Sequence, residues 1–491
     1  LRLASAAAEG GETQAEHGAT TPFAPNSVCI IGAGIAGLAA ARLLEEAQIP
    51  YIVYEGGDRI GGRVFPFQHE DGFLQHGATF INGDQNPIYA IAARLGLVTK
   101  SVGDFDAFGD ISDLMCEGGT IEREVLDEFT AFITPLEESY RALAEREPEA
   151  TVGKLFAKDF EAFVNDPGRL RRRRAFEALA RFYLSFFEME WAANVELLSL
   201  ANFTQWDDGT DDSLSSFCLD KNGYRAILDA LLAPIPRHRI HLNCVVTNVD
   251  YTNGDSSVVV SLADNSKAAF SSVIVTASLG HLKRFSAALF TPPLPKRKLA
   301  AIHALGFGDM QKLFLTYARP FWPAEKQSFQ TAQLAAVPCS LLGRGSIFEV
   351  IDWEPKTLVL WLSGRAVATA ASMTDTEIAE RVTSHLRAAF RDPDIPYPEK
   401  MYRHSWHSSP LFLGSYSYLT PAAVALGDAN DALAEPICAD GGERPLVMFA
   451  GEATHSSIYQ TAVGAFYSGE REAMRVIAAF RRDEAGQDQS I

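Results

Sequence analysis

The stretch VCIIGAGIAGLAAARLL, residues 28–44, decides the fold of this chain. An apolar run of strand length enters a turn with three glycines, and a segment rich in Ala and Leu, typical of a helix, follows at once. In such a unit Gly32 permits the tight turn, Gly34 lets the backbone approach a pyrophosphate, and Gly37 lets the helix pack closely on the strand. The first N–H groups of the helix then face the pyrophosphate. The stretch therefore predicts a dinucleotide site in an α/β domain.

A second predicted strand supplies the other half of this motif. Residues 51–54 read YIVY, and Glu55 follows them, 21 residues after Gly34. An acid at this spacing suits a ribose hydroxyl and argues against a cofactor that carries a 2′-phosphate. With both halves present, a glycine-rich turn that only closes a βα unit is the weaker interpretation.

Composition excludes several classes of function. The 491 residues allow two or three domains, and 47% hydrophobic with 21% charged residues is ordinary for a globular protein. The net charge of −19 argues against nucleic acid or an anionic membrane as a partner. No apolar stretch reaches the roughly 18 residues that would predict a membrane span.

Cysteines and histidines predict neither a disulfide framework nor a metal site. The six cysteines are scattered, with no Cys-x-x-Cys pair. The pairs His238/His241 and His404/His407 have a three-residue spacing but no nearby residue that completes a ligand set. We therefore expect no bound metal.

The interior of the chain alternates helix-like and strand-like segments. A long charged pattern typical of helices covers residues 126–198, and another helix is predicted at residues 223–235. Short strands are predicted within residues 240–277, with Asn253-Gly254 as a hairpin turn.

The two ends of the chain carry no periodic pattern. Residues 1–27 indicate a flexible leader or the remainder of a cleaved targeting segment, and residues 481–491 indicate a polar tail. The glycosylation sequon Asn202-Phe203-Thr204 has meaning only if the chain is secreted. The compartment therefore stays open between cytoplasmic and secreted.

Four motifs in the same order resemble those of the flavin-containing amine oxidases, and most closely the polyamine and spermine oxidase branch. They lie at residues 28–80 (with RIGGR and GATF after the glycine turn), 274–283 (IVTASLGHLK), 405–418 (SW to GSYSY) and 449–469 (FAGEATH to SG). The resemblance implies an α/β fold in which a Rossmann-type FAD-binding domain is interleaved with a discontinuous, mixed α+β substrate domain.

The resemblance also implies domain boundaries. We expect residues 28–105, 220–284 and 430–480 to form the FAD-binding domain, and residues 106–219 and 285–429 to form the substrate-binding domain. FAD is expected to be bound without a covalent link, because the run at residues 414–416 lacks the cysteine that covalent monoamine oxidases use there. The resemblance assigns these residues to FAD: Gly32, Gly34, Ala36, Gly37, Glu55, Gly62, Arg63, Gly77, Ala78, Thr79, Val246, Trp406, Gly451, Glu452, Thr461 and Val463.

Lys312 has two competing interpretations. It lies in an alternating segment, MQKLFLTY, that is typical of a strand. Because lysine is almost never buried without a partner, the residues alone favour an edge-strand lysine that points to water. By resemblance, Lys312 matches a lysine that holds a water near flavin N5.

Three further residues are assigned to the reaction centre by resemblance. Tyr416 matches one wall of an aromatic cage that faces the flavin, and Tyr459 lies near the other wall. Two aromatic faces would favour an approaching cation. Asn82 stands where related polyamine oxidases have His or Glu. Asparagine can hydrogen-bond an amine but cannot take its proton or pair with its charge.

The expected function is that of an FAD-dependent oxidase of polyamines such as spermine, spermidine or their N-acetylated forms. A hydride equivalent would pass to flavin N5, the imine would hydrolyse to an aldehyde and an amine, and O2 would be reduced to H2O2. The expected partners are the small-molecule amine and O2, with the chain a monomer or homodimer. A monoamine or another amine-bearing metabolite is the alternative substrate. An L-amino-acid oxidase and a non-catalytic flavoprotein binding module are less favoured.

Overall fold

A computed structural model describes residues 21–22, 27–103, 114–117, 120–209, 215–252, 257–324, 328–333, 341–342, 345–439, 442 and 444–488. The Asn253-Gly254 turn lies outside these residues.

The strands, numbered in chain order, are β1 (Thr21–Pro22), β2 (Val28–Ile31), β3 (Tyr51–Tyr54), β4 (Pro66–His69), β5 (Gly72–Gln75), β6 (Ile81–Asn82), β7 (Val98–Gly103), β8 (Met115–Glu117), β9 (Ser215–Leu219), β10 (Ile240–His241), β11 (Val246–Asp250), β12 (Val258–Leu262), β13 (Lys267–Phe270), β14 (Ser272–Val275), β15 (Phe290–Thr291), β16 (Gly306–Gly308), β17 (Met310–Thr316), β18 (Ser328–Gln333), β19 (Gly345–Ile351), β20 (Glu354–Ser363), β21 (Lys400–Arg403), β22 (Tyr416–Tyr418), β23 (Ile437–Cys438) and β24 (Pro445–Phe449).

The α-helices are α1 (Ile35–Glu46), α2 (Pro87–Arg94), α3 (Arg123–Ile133), α4 (Leu136–Ala144), α5 (Val152–Val164), α6 (Arg173–Glu190), α7 (Asn202–Gln205), α8 (Gly223–Leu232), α9 (Leu279–Leu289), α10 (Lys296–Ala304), α11 (Arg365–Ala371), α12 (Asp375–Phe390), α13 (Pro421–Leu426), α14 (Ala429–Ala434) and α15 (Ala462–Asp488).

A sheet that is parallel except at its edge strand β23 carries the predicted dinucleotide site, and its strand order is β10-β3-β2-β14-β24-β23. Strand β2 lies between β3 and β14 and is parallel to both, and β24 extends the sheet in parallel beside β14. The apolar run of β2 has no exposed face, as expected of a strand covered on both sides. The predicted α/β, Rossmann-type class is confirmed.

Helix α1 leaves β2 through the glycine turn and packs against the final helix, α15. The two helices approach closely at Gly469, where an added Cβ would lie 2.1 Å from the carbonyl oxygen of Ala36. Strand β24 and helix α15 therefore complete the layer that β2 and α1 begin, although they come from the other end of the chain. The positions of the domain boundaries stay a prediction.

A second six-stranded sheet has the order β21-β17-β20-β19-β18-β8 and is antiparallel except between β18 and β8. Strand β17 lies between β21 and β20, so it is an interior strand. The long charged segment forms the separate helices α3 to α6, whose buried faces share a core rich in Phe and Tyr.

Short parts of both predicted end segments lie in regular secondary structure. Thr21 and Pro22 form β1, which pairs in parallel with β13. Helix α15 continues to Asp488, so most of the expected polar tail is helical. No proline interrupts that segment, and Arg, Glu, Ala and Gln are good helix formers. Among the helices that the structure describes, none is long and apolar enough to cross a membrane.

Candidate active site

A cavity of about 670 Å³ is lined by residues from both six-stranded sheets. It brings together residues from all four sequence motifs. Its volume lies within the range of cofactor and ligand sites. Of the residues assigned from the sequence, the following line it: Gly32, Gly34, Ala36, Glu55, Gly62, Arg63, Gly77, Ala78, Thr79, Asn82, Val246, Lys312, Trp406, Tyr416, Gly451, Glu452 and Thr461.

The glycine turn has the steric properties that a pyrophosphate requires. Gly32 has φ of 105°, and an added Cβ would meet the Thr276 hydroxyl at 2.4 Å. At Gly37 the Cβ would lie 1.9 Å from the carbonyl oxygen of Gly32, so this glycine serves close packing and does not line the cavity. At Gly34 the nearest protein atom would be 3.9 Å away. The turn is therefore closed by protein at two glycines and open towards the cavity at the third.

Glu55 is held at the edge of this turn by backbone donors. The Ala33 N–H donates to Oε2 and the Gly57 N–H donates to Oε1, both at 2.7 Å. The side chain is buried yet lines the cavity. Each carboxylate oxygen can accept a further hydrogen bond, so two ribose hydroxyls could bind here.

An ion pair ties three motifs together beside the cavity. Arg63 donates to Glu452 Oε1 at 2.8 Å and to the carbonyl oxygen of Ser415 at 2.7 Å. Glu452 Oε2 accepts from the Ser417 hydroxyl at 2.6 Å and from the Gln460 N–H at 2.9 Å. Segments more than 350 residues apart in the chain are thus held at one carboxylate.

Lys312 is buried, with 4% of its surface exposed, and its ammonium faces the turn at residues 75–79. It donates to the carbonyl oxygens of Gln75 at 2.9 Å and Gly77 at 2.7 Å, and also to the Thr79 hydroxyl. Burial lowers the pKa of Lys312 to about 7. The edge-strand interpretation is therefore wrong: β17 is an interior strand, and the lysine has the polar partners that burial demands.

Trp361 connects Lys312 to an acid that the sequence motifs missed. The Lys312 ammonium lies 4.4 Å from the centre of the Trp361 ring, and Trp361 Nε1 donates to Glu349 Oε2 at 3.1 Å. Burial raises the pKa of Glu349. The available sequence signal was a glutamate within the apolar run at residues 347–351, which favours a functional residue.

Tyr416 and Tyr459 occupy different environments. Tyr416 lines the cavity, and its hydroxyl donates to the carbonyl oxygen of Met189 at the end of α6, at 3.1 Å. Tyr459 is fully buried outside the cavity lining, and its hydroxyl donates to Asn202 Oδ1 at 2.9 Å. Gln460, with φ of 71°, reverses the chain there, so Gln460 and Thr461 face the cavity instead. The structure thus differs from the expected second wall of an aromatic cage.

Three other assignments are placed as follows. Val463 is buried in the core beneath the parallel sheet and does not line the cavity, because the first turn of α15 directs it inward. Asn82 lines the cavity and donates to the Ser216 hydroxyl at 3.2 Å. Asn202 of the sequon is fully buried and donates to the carbonyl oxygens of Ser199 and Leu419, so it is inaccessible for glycosylation in the folded chain.

The residues that the structure describes contain no group of three or more His, Cys, Asp or Glu that could hold a metal ion. His76 and His404 lie near each other among aromatic rings, with ring centres 6.1 Å apart. Burial lowers their pKa values to about 3 and about 4, respectively. Both imidazoles are therefore neutral near pH 7.

The fold and this cavity define a dinucleotide-binding protein of the Rossmann type. The sequence profile of the flavin containing amine oxidoreductases matches residues 35–477, and the chain belongs to this family. FAD is accordingly its cofactor. The open glycine turn, the fixed Glu55 carboxylate and the motifs joined at Glu452 fit that group.

Individual relatives come from two groups of enzymes. The chain is 30% identical to lysine-specific histone demethylase 2 of Homo sapiens, covering 92% of this chain and 53% of the relative. It therefore spans about half the length of that demethylase. It is 28% identical to the peroxisomal N(1)-acetyl-spermine/spermidine oxidase of Homo sapiens, covering 92% of this chain and 94% of the relative.

A solved structure of a putrescine oxidase double mutant shares the fold. The TM-score is 0.67 at 18% sequence identity, and the match covers 92% of this chain and 99% of that chain.

Replacing Glu55 should weaken FAD binding. In Glu55→Gln the negative charge is lost. The amide NH2 would also face the N–H of either Ala33 or Gly57, so two donors would oppose each other. We expect the Kd for FAD to rise at least about tenfold, or roughly 1.4 kcal/mol, measured by titrating apoprotein with FAD. Asp58→Asn is the matched control, because Asp58 is exposed and outside the cavity lining. An unchanged Kd in Glu55→Gln would show that Glu55 does not hold the ribose.

Proposed function

We propose that this protein is an FAD-dependent oxidase of amines, with polyamines as its substrates. The observation that carries this proposal is the buried Lys312, which is fixed against the turn at residues 75–79 and lines a cavity with aromatic and acidic walls. When bound, FAD supplies the two-electron acceptor for the C–N bond and passes the electrons to O2. The chain's own residues bind the amine, orient it and limit the access of water.

The walls of the cavity suit an alkyl chain that carries cationic nitrogens. Phe80 and Trp361 stack at 6.5 Å between ring centres, and both line the cavity. Acidic side chains line it as well, including Glu190 and Glu349. Aromatic faces and carboxylates both attract ammonium groups. Tyr416, anchored at the carbonyl end of α6, lies where the negative end of that helix dipole also favours a cation.

The cavity is less suited to the carboxylate of an L-amino acid. Its arginines Arg63 and Arg141 both have acidic partners, since Arg63 pairs with Glu452 and Arg141 lies 3.9 Å from Glu137. A substrate carboxylate would have to displace one of these pairs. Asn82 can accept a hydrogen bond from an amine without changing its protonation state.

The second candidate substrate is an N-methylated lysine side chain in a peptide. The sequence identity of 30% to a histone demethylase favours this candidate, because it is slightly higher than the 28% identity to the acetylpolyamine oxidase. A monoamine is the third candidate.

Peroxide release across a substrate panel separates these candidates. The panel contains spermine, spermidine, their N-acetylated forms, an alkyl monoamine, a dimethyl-lysine peptide and an L-amino acid. We expect the highest kcat/KM for a polyamine. Turnover confined to the peptide would establish the demethylase reaction, and turnover confined to the monoamine would overturn the polyamine assignment.

We also infer that FAD is held without a covalent bond. Residues 414–416, in the third motif, are Gly-Ser-Tyr, so this run has no thiol that could form a thioether with the flavin. Acid precipitation should leave the yellow colour in the supernatant. Colour that stays with the denatured polypeptide would contradict the inference.

Lys312→Met separates a structural role from a catalytic one. The change removes the ammonium that donates to the carbonyl oxygens of Gln75 and Gly77 and to the Thr79 hydroxyl, which should cost about 1–3 kcal/mol of stability. Turnover should fall at least about tenfold in protein that stays folded and yellow. Lys356→Met on β20 is the control, because Lys356 is exposed. A stability loss with unchanged turnover would reduce Lys312 to a structural residue. Thermal unfolding and stopped-flow measurements of both half-reactions supply these readouts.

A further inference from the structure

The imidazole of His455 holds the turn that leads into α15. His455 follows a short helical turn at residues 452–454 and has extended backbone angles, φ of −98° and ψ of 131°. Its Nδ1 accepts hydrogen bonds from the Ser457 N–H at 3.3 Å and from the Ile458 N–H at 3.2 Å. Donors two and three residues further on are those that a side chain at the N-cap of a helix accepts. The imidazole therefore caps this turn.

A series of hydrogen bonds connects this cap to the cavity. The Thr461 hydroxyl donates to the carbonyl oxygen of Ile458 at 2.9 Å and accepts from the Gly464 N–H, in the first turn of α15, at 2.9 Å. Thr461 and Ala462 line the cavity. At Gly464 an added Cβ would lie 2.1 Å from the same Ile458 carbonyl oxygen, so the helix and the turn are in close contact. A displacement of Ile458 would therefore move the start of α15, which forms part of the cavity wall.

Only an unprotonated Nδ1 can accept these hydrogen bonds. In the neutral imidazole that carries its proton on Nε2, Nδ1 is an acceptor, whereas in the imidazolium both nitrogens are donors. Protonation of His455 would therefore direct an N–H at the N–H groups of Ser457 and Ile458. Asparagine or serine would cap the turn without a change of charge, but histidine loses this ability in acid. The structure thus makes the position of the turn depend on pH.

The groups around His455 favour its neutral form. Burial lowers its pKa below the ordinary value of 6.5, and the charge of Arg471 on α15 acts in the same direction, whereas Asp431 on α14 opposes it. The Tyr467 ring lies 6.0 Å from the imidazole, and Glu452, whose carbonyl oxygen accepts from the His455 N–H, has its carboxylate in an ion pair. Because the pKa is lowered in the folded turn, the stabilisation is complete above pH 6.5 and is progressively lost as the pH falls below that value.

Three other histidines in or beside the cavity differ from His455 in this respect. Nδ1 of His281 lies 2.8 Å from the carbonyl oxygen of Pro410, so it donates in both protonation states. Burial lowers the pKa values of His76 and His404 to about 3 and about 4. Neither arrangement is broken by protonation at about pH 6.

We propose that His455 is a positioning residue for the cofactor site, and that its protonation loosens the start of α15 and promotes release of FAD. His455 does not line the cavity, so it acts through Ile458 and Thr461. The protonated imidazole no longer holds Ile458, and Thr461 then loses the fixed carbonyl oxygen that orients its hydroxyl. The effect concerns the bound cofactor and is the same whichever amine is oxidised.

Release of FAD from the holoenzyme tests this role. His455→Asn supplies an amide oxygen that can accept from the same two N–H groups and does not titrate. In the wild type the Kd for FAD should rise about three- to tenfold between about pH 7.5 and about pH 5.5, measured by flavin fluorescence in a dilution series. In His455→Asn the rise should be less than about twofold. His303→Asn is the matched control and should behave as the wild type, because His303 is exposed and outside the cavity lining. Equal pH dependence in the wild type and His455→Asn would overturn the proposal.

Amide hydrogen exchange of residues 455–464 distinguishes this role from a general loss of stability. At about pH 5.5 the segment should exchange at least about threefold faster in the wild-type holoenzyme than in His455→Asn, and at about pH 7.5 the two rates should agree. Comparing proteins at one pH removes the intrinsic effect of pH on exchange. His455→Ala has no cap at either pH and should exchange fast at both, so this variant decides the question if His455→Asn does not fold. A rate in His455→Ala equal to that of the wild type at about pH 7.5 would show that the imidazole does not hold the turn.

Discussion

The Arg63–Glu452 ion pair, with its carboxylate buried and its guanidinium partly exposed in the cavity, joins the segments that form the cavity walls. Glu452 also accepts hydrogen bonds from Ser417 and Gln460, so one carboxylate holds segments from the beginning, the late middle and the end of the chain. Removing Arg63 would leave the buried Glu452 carboxylate without its charged partner, which lowers the free energy of unfolding. The glycine turn, the strand of Tyr416 and the start of α15 would then lose the contact that fixes their relative positions. The pair therefore couples stability to the shape of the site.

Local features of the sequence predicted the parallel sheet and the glycine turn, because strand, turn and helix are contiguous there. Lys312 shows where such reasoning ends. Alternation in a segment of seven residues cannot distinguish an interior strand from an edge strand, because that depends on neighbours supplied by distant parts of the chain. Resemblance placed the lysine near the flavin. Only the structure shows that its ammonium donates hydrogen bonds to the carbonyl oxygens of Gln75 and Gly77. The sequence motifs did not reveal Glu349, because no single segment forms the cavity that it lines.

Tyr459 shows a different limit, since a motif can be assigned correctly while the direction of its side chains is not. The left-handed backbone at Gln460 reverses the chain, so adjacent residues face opposite sides. Tyr459 then serves the packing of Asn202 and its neighbours, and the cavity wall at this point consists of smaller polar side chains. A sequence pattern does not reveal one positive φ angle at a residue other than glycine.

The order of strands in the parallel sheet has a consequence for synthesis of the chain. Strand β2 and the glycine turn emerge well before β24 and α15, which extend the same sheet and pack on α1. Glu452 and Thr461, which line the cavity, lie in this later part. A nascent chain must therefore keep the apolar faces of β14 and α1 from aggregating until this part is translated, and FAD binding can only follow translation of these segments. Shortage of flavin would accordingly act on a chain in which both six-stranded sheets have already been translated rather than on an early folding intermediate.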